Sequence, residues 1–207
     1  MRFETDHMAA VERLLDWAKR AAVYPKDDGA ARWLVMHANQ IGEVCEECLP
    51  EVQEIQRQWA RDSTVFLEDH QVEFTRLFVN RFGGVLAPPY ASYYLDSKIL
   101  LGQSVNTVVD LYGQSGLSWS HVEGAETPDH IAVELEFLQF LAGRIASGET
   151  ADACQGAGDL WRLFWKNHMN NWLPAFVKNL TQHARTPLYQ LLAKILNMLY
   201  QKERNDG

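Results

Sequence analysis

Apolar residues recur every three or four positions along almost the whole chain, and no segment sustains the two-residue alternation of a half-buried strand, so the pattern predicts an all-α protein. A first helix over 5–23 carries Met8, Val11, Leu14, Leu15, Ala18 and Ala22 on one stripe, and Tyr24-Pro25 ends it because a residue before proline avoids the helical region. A second aligns Leu34, Ala38, Ile41, Cys45 and Cys48 before Pro50 stops it. A short third uses Val52, Ile55 and Trp59. The fourth opens on Ser63 as N-cap, presents Phe66, His70, Phe74, Leu77, Phe78 and Phe82, and closes at Gly83-Gly84.

The pattern lapses over 85–102. Pro88-Pro89 remove two backbone donors there, and Tyr90, Tyr93 and Tyr94 crowd together, which predicts an ordered loop with exposed aromatics, or a lid. Helical spacing resumes over 103–114 with Val105, Val108, Val109 and Tyr112 inward and Gly116 at the terminating position. After a polar loop over 117–126, Thr127-Pro128 reads as an N-cap and first-turn proline, opening a helix with Ile131, Leu135, Leu138, Ala142 and Ile145 that runs to Gly148. Helices over 151–168, 171–183 and 186–202 follow, the last opening on Thr186-Pro187, with 203–207 as a frayed tail. No internal repeat or low-complexity linker interrupts these roughly nine helices, so the organisation expected is one domain over 1–207, softly divided near 83–102.

Composition narrows the function. Nineteen basic residues against 27 acidic ones give a net charge of -8, a field that repels nucleic acid and anionic lipid and would attract a basic peptide. No apolar run reaches the roughly 18 residues a membrane span needs, and the N-terminus lacks the basic-then-apolar plan of a secretory signal, so a cytoplasmic protein without stable membrane insertion is expected. Cys45, Cys48 and Cys154 are odd in number and sparse, which argues against a disulfide framework. Cys45 and Cys48 have metal or redox spacing, but no second such pair exists, and their place on an apolar stripe favours plain buried residues.

The most chemically loaded segment is His121, Glu123, Glu126, Asp129 and His130, with Glu134 a turn further on. An ordinary helix start explains Asp129, since a carboxylate there meets unpaired amides, but does not explain His130. A metal-dependent hydrolase would need these groups to converge on an ion; a binding protein would use Glu123, Glu126 and Asp129 as an anionic patch for guanidinium groups. No catalytic triad, phosphate loop or dinucleotide fingerprint appears, so no enzyme activity and no cofactor are expected.

Three segments together resemble the TorD/DmsD/NarJ family of redox-enzyme maturation chaperones. Glu73-Phe74-Thr75-Arg76-Leu77-Phe78-Val79 is similar to its E-[YF]-x-x-L-F-V helix, Ala87-Pro88-Pro89-Tyr90-Ala91-Ser92-Tyr93-Tyr94-Leu95 to its proline-aromatic loop, and Glu126-Thr127-Pro128-Asp129-His130 to its E-P-x-D-H signature. His168-x-x-x-Trp172-x-Pro174-x-Phe176 and Pro187-Leu188-Tyr189 extend the likeness to roughly 66–200; Thr127 departs from it, because the family often has proline directly after the glutamate. The resemblance implies an all-helical cytoplasmic chaperone for the twin-arginine signal peptide and catalytic subunit of a DMSO-reductase-type molybdopterin oxidoreductase, as a monomer or a domain-swapped dimer. It carries signal-peptide-binding roles onto Phe74, Leu77, Phe78, Pro89, Tyr90, Asp129 and His130, which join Glu123 and Glu126 as the expected site. On that reading Asp129→Ala weakens peptide binding and leaves the fold intact.

Overall fold

The structure, a computed structural model, describes residues 2–79, 84–119, 126–147 and 151–206. The chain is all-α: among the described residues the one extended pairing is an isolated bridge between Tyr90 and His130. Ten α-helical segments follow in order among the described residues: α1 (Arg2–Ala21), α2 (Asp28–Val44), α3 (Leu49–Arg61), α4 (Ser63–Phe74), α5 (Ala91–Leu95), α6 (Ser104–Gln114), α7 (Ile131–Ser147), α8 (Ala151–Phe164), α9 (Asn170–His183) and α10 (Pro187–Asp206). The most extensive contact is between α1 and α7, with α8 also against α7 and α10 against α9, α3 and α1. The core between them holds Leu15, Ala18, Ala38, Ile55 and Leu138 of the predicted stripes together with Phe176, Leu192 and Ile195, all essentially inaccessible to solvent.

Several expected boundaries move, each for a local reason. Helix α4 is capped by Asp62 and not by Ser63, because the Asp62 carboxylate accepts from the Thr64 and Val65 amides. Helix α7 begins at Ile131, not at Pro128; Thr127 to His130 form a turn ahead of it, and the Thr127 hydroxyl goes to Asp129 in place of a helix amide. Helices α8 and α9 run on through a π-turn at Trp165–Met169, so the expected break near residue 170 is a widening of one continuous rod. The widening lies just ahead of Pro174, which has no N–H for the Asn170 carbonyl. The expected tail is helical to Asp206, and Trp161 Nε1 donates to Glu203 Oε2 at 2.9 Å.

The cysteine expectation is also corrected. Helix α2 stops at Val44, Cys45 has extended backbone angles, a 3-10 turn spans Glu46–Cys48, and the two cysteines are joined as a disulfide. Pro50 lies in the first turn of α3, where its missing N–H costs nothing, and so starts that helix rather than stopping α2. Gly116, with φ of +84°, ends α6 as predicted. The close of α4 at Phe82 and Gly83, and the end of α7 at Gly148, lie outside the described residues.

Candidate functional site

The proline-tyrosine loop and the turn before α7 are joined backbone to backbone: Ala91 N donates to Asp129 O at 2.9 Å, and Ile131 N to Pro89 O at 2.8 Å. Proline offers only a carbonyl, and the carbonyl is the group used. The Asp129 side chain completes the joint. It is fully buried; Oδ2 accepts from Ser92 N at 3.1 Å and Ser92 Oγ at 2.6 Å, and Oδ1 accepts from Thr127 Oγ1 at 2.7 Å. Ser92 Oγ in turn accepts from Leu101 N at 3.2 Å. With three donors on its two oxygens, this carboxylate is satisfied inside the protein.

His130 is buried beside it. Its Nδ1 accepts from Ala132 N at 3.2 Å, which assigns the ring proton to Nε2, 3.7 Å from Glu126 Oε2. Burial pulls the imidazole pKa down to about 4, against an upward pull from Asp129, so the ring is neutral at pH 7. Tyr90 stands edge-on to His130 with centroids 5.2 Å apart, and burial, helped by the charges of Glu126 and Asp129, raises its phenol pKa. Glu126 is the accessible member, its side chain 42% exposed; partial burial raises its carboxyl pKa while Lys26 opposes the rise.

Two more carboxylates of the motifs lie in the interior. Glu73 receives Arg76 Nε and an Arg76 terminal nitrogen at 2.7 Å each and Arg185 N at 2.7 Å, and Arg76 also donates to His183 O. Burial pushes the Glu73 carboxyl up, but the donors outweigh it and hold its pKa below the ordinary value. Arg76 and Glu73 thereby tie α4 to the corner between α9 and α10. Glu134, fully buried on α7, has His168 Nε2 2.6 Å from one oxygen and accepts from Trp172 Nε1 at 3.1 Å on the other. Burial raises its pKa to about 7 despite these partners, with Asp129 adding to the rise.

The expected site residues divide accordingly. Tyr90, Glu126, Asp129 and His130 converge on one turn. Phe74, Leu77 and Phe78 form a separate interior cluster: Phe74 and Phe78 lie 5.0 Å apart, and Phe78 meets Tyr189 at 5.5 Å and Phe176 at 6.3 Å. None of the three offers its side chain to solvent; Leu77 reaches the loop through its carbonyl, which accepts from Ala87 N at 2.9 Å. Pro89 is buried, and Glu123, like His121, lies outside the described residues. The loop aromatics are only partly exposed, since Tyr94 packs on Trp172 at 5.7 Å and receives Asn179 Nδ2 at 3.3 Å. Among the described residues no group of three or more histidine, cysteine or acidic side chains is arranged to hold a metal ion.

An open feature that the residue pattern did not single out is a cleft of about 520 Å³ between α1, α7 and the segment after α6. Leu117, Trp119, Val133, Phe137 and Phe140 line it, with Glu12, Lys19 and Glu136 at its polar edge. Tyr112 joins the cleft to the motif turn, because its ring lines the one and its hydroxyl donates to Pro128 O of the other at 2.8 Å. Spacing showed Tyr112 as inward; nothing in it showed that 117–119 would fold back over α7.

Fold and site define an all-helical scaffold in which polar motif residues fasten loops together beside an apolar cleft. The chain belongs to the nitrate reductase delta subunit family, which matches residues 43–178. It is 32% identical over 123 residues to the chaperone protein TorD of Vibrio cholerae, covering 58% of this chain and 54% of that protein. It is 29% identical over 135 residues to the chaperone protein TorD of Psychrobacter, covering 64% and 59%. The chain thus spans about half the length of the curated relatives it matches, and those relatives are chaperones, not enzymes. A crystal structure of a redox enzyme maturation protein from Archaeoglobus fulgidus shares the fold with a TM-score of 0.61 and 23% identity over 92% of this chain and 93% of that one.

Proposed function

We propose that this protein is a cytoplasmic maturation chaperone that binds the twin-arginine signal peptide of a DMSO-reductase-family molybdoenzyme and helps its catalytic subunit through cofactor loading before export. The carrying observation is the likeness to TorD chaperones in a chain whose apolar cleft adjoins a turn bearing an accessible carboxylate. A signal peptide combines an apolar stretch with arginines, and these surfaces complement it: Trp119, Val133 and Phe140 in the cleft for the apolar side chains, Glu12 and Glu136 at its edge and Glu126 on the motif turn for the guanidinium groups. Tyr90 borders Glu126 and takes part in the contact. Asp129, His130, Pro89, Phe74, Leu77 and Phe78 serve the same function from beneath, by fixing the loop and turn that carry the contact residues.

Titration calorimetry with a synthetic twin-arginine signal peptide tests this, with a two-lysine version and a scrambled sequence as controls. The expected result is saturable binding to the arginine peptide, weaker to the lysine version because only guanidinium pairs in fork geometry with carboxylates, and none to the scrambled one. Equal affinity for all three would overturn the proposal.

A further inference from the structure

We propose that the Cys45–Cys48 pair is a reversible thiol-disulfide exchange site, open to low-molecular-weight thiols and disulfides, that clamps the corner between α2 and α3. The corner is tight: α3 packs against α2, and a Cβ on Gly42 would lie 2.8 Å from the Leu49 Cδ2 methyl, which would have to turn aside. One residue makes the turn. Cys45 leaves helical geometry at φ -141° and ψ 92° although its amide still donates to Ile41 O, and Cys48 N then donates back to Cys45 O at 3.0 Å. The disulfide closes this short ring, and α10 holds the corner from outside through Lys194, which donates to Glu47 O at 3.0 Å and Glu51 Oε2 at 2.7 Å.

The two sulfurs are unequal. Cys45 is 8% exposed between the solvated Glu46 side and the core, whereas Cys48 is 1% exposed and caps the N-terminus of α3. An external thiolate therefore attacks Cys45 Sγ, the less buried sulfur, and Cys48 leaves as a thiolate. A second thiolate attacks the external sulfur of the mixed disulfide and releases the Cys45 thiolate. Both thiolates take up protons, so the protein gains two electrons and two protons while two external thiols become one disulfide. The reverse sequence closes the ring again. Protein disulfides inside reducing compartments are of this transient, sensing kind.

The test equilibrates the full chain in glutathione buffers from fully reduced to fully oxidised, quenches with acid, unfolds, alkylates free thiols and locates the label by mass spectrometry. Cys154, the free cysteine, is the internal reference. Label at Cys45 and Cys48 is expected to disappear together along one two-electron curve while Cys154 stays labelled, and reduction should lower Tm by about 4–8 °C, as for a short closed loop in a chain of this size. Cys45→Ser should melt like reduced wild type and ignore the buffer; if that variant fails to fold, reduced and oxidised wild type make the same comparison. Retention of both labels in fully oxidised buffer, separate loss of the two, or an unchanged Tm would overturn the proposal.

Discussion

Ser92 and Asp129, 37 residues apart, share two hydrogen bonds in the interior, one from the serine amide and one from its hydroxyl. They make the proline-tyrosine loop and the turn before α7 one unit. A carboxylate at this place is thus an internal fastener, and the apparent anionic patch shrinks to Glu126 among the described residues.

Asp129→Ala should accordingly cost stability, against the expectation that the fold stays intact. It strands the Ser92 hydroxyl and amide in a dry site, a loss of about 2–4 kcal/mol. Urea denaturation should show a lower midpoint at unchanged slope. A midpoint equal to wild type would mean that the joint contributes nothing.

Arg76→Ala removes two of the donors that hold buried Glu73 and frees the corner between α9 and α10. A loss of about 2–3 kcal/mol is expected. Arg76→Lys should recover only part of it, because an ammonium cannot donate in the two-point geometry of a guanidinium. Full recovery by lysine in thermal unfolding would contradict the fork-like pairing.

Stability should depend on pH through two opposed groups. Glu134 has a folded pKa raised from 4.5 to about 7, so between these values the folded state keeps a proton the unfolded chain has released, and stability falls as pH rises. His130 is lowered from 6.5 to about 4; over that span the unfolded chain takes up a proton the folded state refuses, and stability falls as pH drops. Each contributes up to roughly 1.4 kcal/mol per pH unit, so across pH 4.5–6.5 they cancel. Glu134→Gln removes one side of the balance, and its stability should climb with pH over that window more steeply than that of wild type. Superimposable profiles for the two proteins would show that Glu134 does not keep its proton.

Binding of a twin-arginine peptide should respond differently to the two halves of the proposed surface. Phe140→Ser takes apolar area from the cleft wall and should weaken affinity about 10-fold at any salt concentration. Glu126→Gln should weaken it less and reduce its salt dependence, since a rim charge acts through screened attraction. If Phe140→Ser left affinity unchanged while Glu126→Gln abolished it, the cleft would have no part in the contact.

The helices were legible because burial follows the stripes: Leu15, Ala38 and Leu138 are interior as their spacing requires. Boundaries were less legible where side chains compete for backbone groups, as with Asp62 taking the cap from Ser63 and Thr127 spending its hydroxyl on Asp129. The motif segments stood out in the sequence, but a string of letters does not say which way a polar residue faces. Asp129 read as part of a surface patch, yet it is buried, as are Glu73 and Glu134, and each has a donor far along the chain, Ser92, Arg185 or Trp172. The disulfide was missed because helical periodicity ran straight through Cys45, where the backbone turns extended and α2 ends.

Helix α10 leans on α1, α3 and α9, supplies the Tyr189 hydroxyl to His70 O at 3.2 Å, and follows the Arg185 amide that Glu73 requires. All those partners are synthesised before it. While the ribosome is still making α10, Phe74, Phe78 and the inner face of α3 lack the cover it gives them. The nascent chain therefore carries an uncovered apolar surface until α10 emerges, so closure of the core waits on the synthesis of that helix.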